Sequence, residues 1–239
     1  SFCLEDSVVD GLKARTGYQL VSDDDIVQEA SRLSGLEPDK IRRAFSAKVS
    51  VFNKFTHERE RAVAFMKLAM AEGYLSDERI YRGFCGFLIP QRVEHVLRVC
   101  LIADMKFRLA EAERQGFSRT DAQRQIHAED EKRSTWVQQI EDEKDPWSSR
   151  FYDITIPMGK DSVEEAIDLI ANYAKSGAVD YSAQSRQAAE DFRFAARVEV
   201  ALAKEGHDVG VEAHADHVTL IINKQVLMLS RLEEELKSI

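Results

Sequence analysis

Residues 78–104 read ERIYRGFCGFLIP (78–90), QRVEH (91–95) and VLRVCLIAD (96–104). Two short apolar runs flank a Gly83-Phe84-Cys85-Gly86 loop. The second run, Val96–Ala103, is rich in Val, Leu and Ile and hardly alternates. That is the pattern of a strand buried on both faces, as in a parallel sheet. A buried helix segment is the competing reading, but the run is short and helical patterns lie on both sides of it. Where strands alternate with helices, ligands gather at the strand carboxyl ends. The Gly83–Gly86 loop and the Ala103–Asp104 end are therefore the places to expect a site.

Upstream, apolar residues at 8, 9 and 12 predict a helix over Val8–Arg15, with Ser7 or Asp6 as its cap and Gly17 as its end. No strand precedes this helix in the sequence, so the first strand of a parallel sheet is expected to be missing. Tyr18–Ser22 reads as a short strand. Asp23, Asp24 and Asp25 then open a second helix, where acidic residues suit the positive end of the helix dipole. A charged cap is a better reading of the three aspartates than a metal site. Helices over Asp39–Val51 and Lys54–Gly73 lead into a strand over Tyr74–Arg82. Val63, Met66, Ala69 and Met70 fall at helical spacing and read as core.

Downstream, Met105–Gln115 is an amphipathic helix stopped by Gly116. Thr120 with Gln123 forms a capping box for a mostly polar helix to about Gln139. A polar helix pair over a sheet reads as a lid, and an exposed helical hairpin is the alternative. Phe151–Pro157 alternates as a strand. Ser162 and Glu165 form a second capping box ahead of an apolar stripe at Val163, Ala166, Ile167, Ile170 and Ala174.

The tail, residues 178–239, reads as a separate small α+β unit: a helix over Ser185–Glu205, a hairpin of Asp208–Ala213 and His217–Asn223, and a last helix over Val226–Lys237. His207, His214 and His217 lie near the turn, and histidines without a carboxylate are an under-ligated metal set. No metal is expected.

The chain has 239 residues, 44% of them hydrophobic and 31% charged, with a net charge of −9. This suffices for a sizeable core and disfavours broad nucleic-acid binding, since no basic block is present. No run is long enough to span a membrane, and no signal peptide is visible. Three widely spaced cysteines, Cys3, Cys85 and Cys100, argue against a disulfide framework and for a reducing, cytoplasmic setting.

Residues 1–177 resemble the cytidylate kinase branch of the P-loop nucleoside monophosphate kinases, most of all its divergent cytidylate kinase-like relatives. Gly83-Phe84-Cys85-Gly86-Phe87-Leu88-Ile89-Pro90 corresponds to the family's Gly-Arg-Asp-x-Gly-Thr-Val-Val-Phe-Pro strand-end motif. Val99–Gly116, the lid helix Ala122–Trp136, the strand Tyr152–Ile156 and the helix Ser162–Tyr173 match in kind. The resemblance implies an α/β fold with a P-loop kinase-like parallel sheet, flanking helices and a helical lid. The tail is weakly similar to BON-type modules, which are associated with envelope or phospholipid binding.

The family moves the ATP γ-phosphate to CMP or dCMP with a Gly-rich loop, a Lys, Mg²⁺ and several arginines. Carried over residue by residue, Ser1–Ser7 falls on the Gly-rich loop. Ser1 and Ser7 fit it, Phe2, Leu4 and Asp6 fall on glycines, and Glu5 falls on the lysine. Phe84 replaces the monophosphate-site arginine and Cys85 the aspartate. Arg82 lies just before Gly83, at the end of the strand. In the lid Lys132 and Arg133 remain, Arg108 fits the helix before it, and Glu129 stands where an arginine is usual. Ser1, Ser7, Asp23, Arg82, Gly83, Arg108, Lys132 and Arg133 are thus the candidate phosphate- and nucleotide-binding residues, with no catalytic residue assigned.

Three functions follow as expectations. The first is a degenerate kinase-like protein with a nucleotide-sensing, regulatory or interaction role. The second is an active divergent kinase using ATP and Mg²⁺ on CMP or dCMP. The third is a binding module whose residues 178–239 meet a protein or lipid partner.

Overall fold

The computed structural model describes residues 1–46, 57–74, 78–177, 179, 181–215, 217–222 and 229–239. The ends of the predicted helices over Asp39–Val51 and Lys54–Gly73, and the start of the last helix, lie partly outside these residues. Within them the chain is mixed α/β, with short parallel strand pairs among many helices.

Helix α1 (Glu5–Thr16) follows Leu4 and ends at Gly17, whose φ of 74° supplies the left-handed turn that a glycine adopts without strain. Strand β1 (Gln19–Ser22) feeds α2 (Asp23–Ser34). Ser22 accepts from Asp25 N while the Asp25 carboxylate accepts from Ser22 N, a reciprocal capping box. A short helix α3 (Pro38–Arg42) and a 3₁₀ turn (Arg43–Phe45) come next. Helix α4 (Glu58–Ala69) runs into a π-helical turn at Met70–Tyr74. Strand β2 (Arg79–Arg82) lies parallel to β1, with Gln19 opposite Arg79 and Ser22 opposite Arg82.

After a 3₁₀ turn at Cys85–Leu88, strand β3 (Val99–Ile102) pairs in parallel with β4 (Ile154–Pro157). Between them lie α5 (Met105–Arg114) and α6 (Arg119–Glu141). Arg98 holds the irregular stretch before β3: its guanidinium donates to the carbonyls of Pro90 at 2.8 Å and Val96 at 3.2 Å. Helix α7 (Val163–Lys175) carries the predicted Ser162–Glu165 capping box and buries Ala166, Ile167, Ile170 and Ala171.

Several sequence readings change here. The strand predicted over Val96–Ala103 covers Val99–Ile102, and only Cys100 in it is buried, because the two-stranded pair β3–β4 leaves its faces partly open. Ser7 and Asp6 do not cap α1. They lie inside it, since the chain turns at Leu4 and the helix begins at Glu5. The α6 cap is Ser118, whose hydroxyl accepts from Asp121 N at 3.1 Å, so Thr120 falls one residue inside the helix. Asp104 is the N-cap of α5, accepting from Phe107 N at 2.8 Å, and is thereby committed to the helix end.

Alternation along β2 divides the interior. Tyr81 packs toward the largest apolar cluster, built on Phe65, Met66, Met70, Trp136 and Ile26, while Ile80 packs toward a second cluster of Val8, Leu12, Ile156 and Ile167. Burying a residue such as Phe65 contributes about 1.5–3 kcal/mol. Helix α8 (Ala183–Lys204) serves two clusters. Its Ala188, Phe192, Ala196 and Val200 join the largest one, and Lys67 on α4 meets Glu199 at 2.9 Å. Its Ala195 and Leu202 pack with Val211, Ala213 and Leu236 against the antiparallel hairpin β5 (Gly210–His214) and β6 (His217–Ile221) and helix α9 (Leu229–Ser238). No described helix is long and apolar enough to cross a membrane.

Candidate functional site

A cleft of about 570 Å³ opens where the first turn of α1, the head of α2, the end of β2 and the α5–α6 pair meet. Six of the sequence-derived candidates line it: Ser1, Ser7, Asp23, Arg82, Gly83 and Arg133. Arg108 stands behind Ser1, donating from Nε to the Ser1 carbonyl at 3.0 Å and holding Asp130 through both terminal nitrogens at 2.7 and 2.8 Å. Lys132 does not line the cleft. It pairs with Glu129 on its own helix at 2.7 Å, one turn away.

The first residues keep an unusual backbone. Phe2 and Leu4 have φ values of 56° and 58°, in the left-handed region that residues with a Cβ enter at a cost of about 1–2 kcal/mol each. The left-handed turns are carried by an aromatic and a branched side chain. Glu5 begins α1 and lines the cleft.

Arg82 ends β2 and turns toward this same segment. Its Nη1 lies 2.6 Å from Asp6 Oδ1 and its Nε 3.5 Å from Glu5 Oε1. The strand-end cation is thus engaged by the two carboxylates of the first helical turn.

The three aspartates that open α2 have three different partners. Asp25 completes the capping box. Asp24 pairs with Arg42, whose Nε is 3.1 Å away. Asp23 reaches across to the Gly-Phe-Cys-Gly loop, where its two oxygens accept from Phe84 N and Cys85 N, each at 2.8 Å. The loop makes room by having no side chain at Gly83: a Cβ there would stand 2.2 Å from Asp23 Oδ2, and φ is +127°. Burial pushes the Asp23 carboxyl above its ordinary value, and the two backbone donors and Arg133 offset part of that rise. Burial also raises the Cys85 thiol well above its usual range, with the neighbouring Asp23 charge acting in the same direction.

Phe84 is built into an aromatic cluster. Its ring lies 5.8 Å from that of Phe45, which is 4.9 Å from Trp136, and its carbonyl accepts from Trp136 Nε1 at 2.8 Å. The Arg133 guanidinium stacks 4.9 Å over the Phe84 ring. Trp136 is fully buried, so the carboxyl-terminal part of α6 is fastened to the loop. Nearer its start, Ala122 and Ile126 pack on Leu109 and Ala112 of α5.

Among the described residues lining the cleft, seven are Asp or Glu and three are Arg. Two of those three, Arg82 and Arg114, are in ion pairs. Arg133 forms none among the described residues. A polyanion entering here meets carboxylates first and few uncommitted cations. Sequence reasoning missed the Asp23 bridge and the Trp136 anchor. The adjacency of Asp23 to a strand end and the bare Gly83 were the available signals for the first, while a tryptophan in a polar helix was the signal for the second.

Neither a search of curated proteins nor one of solved structures returns a match. A model of the cytidylate kinase-like family matches residues 5–160, from the start of α1 to just past β4. That stretch holds both parallel strand pairs, the α5–α6 pair and all of the cleft except its first residues, so the chain belongs to the cytidylate kinase-like family.

Proposed function

We propose that this chain is a kinase-fold protein whose phosphoryl transfer is impaired and whose cleft serves nucleotide sensing or regulation. Family membership supports a nucleotide-kinase-related role. The observation that carries the impairment is Arg82: the cation at the strand end is held by Asp6 and Glu5, residues of the segment that would have to receive phosphates. Glu5 replaces the lysine of the Gly-rich loop and Phe84 the arginine of the monophosphate site, as the resemblance aligns them.

Removing one preorganised donor to a developing negative charge costs about 3–4 kcal/mol of transition-state stabilisation. Two such losses amount to a rate deficit of several powers of ten. The residues around Glu5 and Asp6 do not fit an Mg²⁺–triphosphate, since their carboxylates face the place the phosphates need and their nearest cation is already paired. ATP and Mg²⁺ accordingly take no part in the proposed role, and the ligand is a nucleoside monophosphate of the CMP type.

Calorimetric titration with CMP and with ATP–Mg²⁺, beside an assay for CMP-dependent ADP release, tests this reading. Binding of CMP without turnover is expected. Sustained turnover would defeat it.

A further inference from the structure

We propose that Asp23 is the resident occupant of an oxyanion cradle formed by the N–H groups of Phe84 and Cys85 and the guanidinium of Arg133, and that a phosphate monoester displaces it. The proposal rests on the nucleotide-binding reading of the cleft and names how that cleft is regulated.

The donors are already arranged for an anion. Two consecutive backbone N–H groups converge on one carboxylate at 2.8 Å each, a distance typical of charge-assisted hydrogen bonds. Consecutive N–H groups of this kind make a concave anion site. Arg133 stands over the Phe84 ring, lines the same cleft and has no ion pair among the described residues, so its charge is available to whatever sits in the cradle. The close approach at Gly83, where any Cβ would collide with the Asp23 carboxylate, leaves space for an oxyanion pressed against the loop.

Asp23 is not required where it is for helix α2 to hold. The α2 amino terminus is closed by Ser22 and Asp25, and Asp24 is paired with Arg42. Asp23 can therefore rotate out of the cradle without uncapping the helix. While it stays in place, it satisfies the donors with an internal negative charge and repels a phosphate from them. The cleft then carries its own competitor, and the ligand class it admits on displacement is a phosphate monoester or free phosphate.

The test uses the full chain, as wild type, Asp23→Asn and Asp23→Ala, with folding checked by far-ultraviolet circular dichroism and urea denaturation. Inorganic phosphate, CMP and cytidine are titrated calorimetrically. Both variants are expected to bind phosphate and CMP at least about tenfold more tightly than wild type, with cytidine unchanged. Adding Arg133→Ala to Asp23→Asn is expected to remove the gain. Folded variants with unchanged phosphate and CMP affinity overturn the proposal. So does an equal gain for cytidine, which would make the recognised group the nucleoside, and so does a gain that survives loss of Arg133. These outcomes are separable from the preceding reading: turnover by the wild-type chain defeats the impaired kinase but leaves an Asp23-dependent gain intact, whereas a missing gain defeats the cradle and leaves the impairment standing.

Discussion

Arg82 and Asp6 form a 2.6 Å ion pair that joins the end of β2 to the first turn of α1. The pair spans the mouth of the cleft, with the Arg82 side chain about a third exposed and that of Asp6 three quarters exposed. Its contribution to stability is small for that reason, about 0–1 kcal/mol. Its consequence is for ligands, because the cation is committed to a partner inside the chain.

Releasing Arg82 is therefore expected to change binding more than folding. In Glu5→Gln/Asp6→Asn, affinity for CMP should rise by about tenfold at low salt, while the urea midpoint shifts by no more than about 1 kcal/mol would produce. Calorimetry and denaturation on the same preparation check both parts. Unchanged CMP affinity would remove Arg82 from the account.

Gly83→Ala places a Cβ on the Asp23 carboxylate at a φ of +127°. Either the loop shifts or Asp23 leaves, and both lose the two 2.8 Å hydrogen bonds. A destabilisation of about 1–3 kcal/mol is expected. A variant as stable as wild type in urea would show that the close approach at Gly83 is not a constraint.

Trp136→Phe deletes one of two donors to the Phe84 carbonyl, which keeps the Phe87 N–H at 3.2 Å. The cost is about 0.5–1.5 kcal/mol for the lost hydrogen bond, with some loss of packing added. Fluorescence gives an independent check. Trp136 is fully buried and Trp147 is 40% exposed, so acrylamide should quench two populations in wild type and only the accessible one in the variant. A single accessible population in wild type would contradict the anchoring of α6.

The Asp23 carboxyl gives a pH dependence of definite sign. Its folded-state value lies above that of the unfolded chain, so between the two the native state binds more protons. Stability then falls as pH rises through that window and recovers as pH drops below the folded value. Asp23→Asn lacks this contribution. Relative to that variant, wild type should gain stability between neutral pH and about pH 4, measured by urea denaturation across that range. A flat difference, or one of opposite slope, would exclude burial as the dominant influence on Asp23.

Much of the fold could be read from local pattern. The Ser162–Glu165 capping box, the stop at Gly17 and the strands ending at Ser22 and Arg82 follow from signals carried by neighbouring residues. Of the candidates named from the sequence, Arg82, Gly83 and Arg133 line one cleft. What stayed hidden depends on contacts across the chain. Asp23 and Phe84 are 61 residues apart, and nothing in an Asp-Asp-Asp run says which carboxylate caps, which pairs and which crosses to another loop. The left-handed backbone at Phe2 and Leu4 was hidden for the opposite reason: those residue types ordinarily signal that a chain does not turn that way.

The central claim is the impairment of phosphoryl transfer by an electrostatically self-satisfied cleft, and CMP-dependent ADP release by the purified full chain tests it most directly. With ATP, Mg²⁺ and CMP at millimolar concentration, the account predicts release no faster than in the same mixture without CMP. Sustained release that requires CMP and is lost in Arg82→Ala or Arg133→Ala would contradict it.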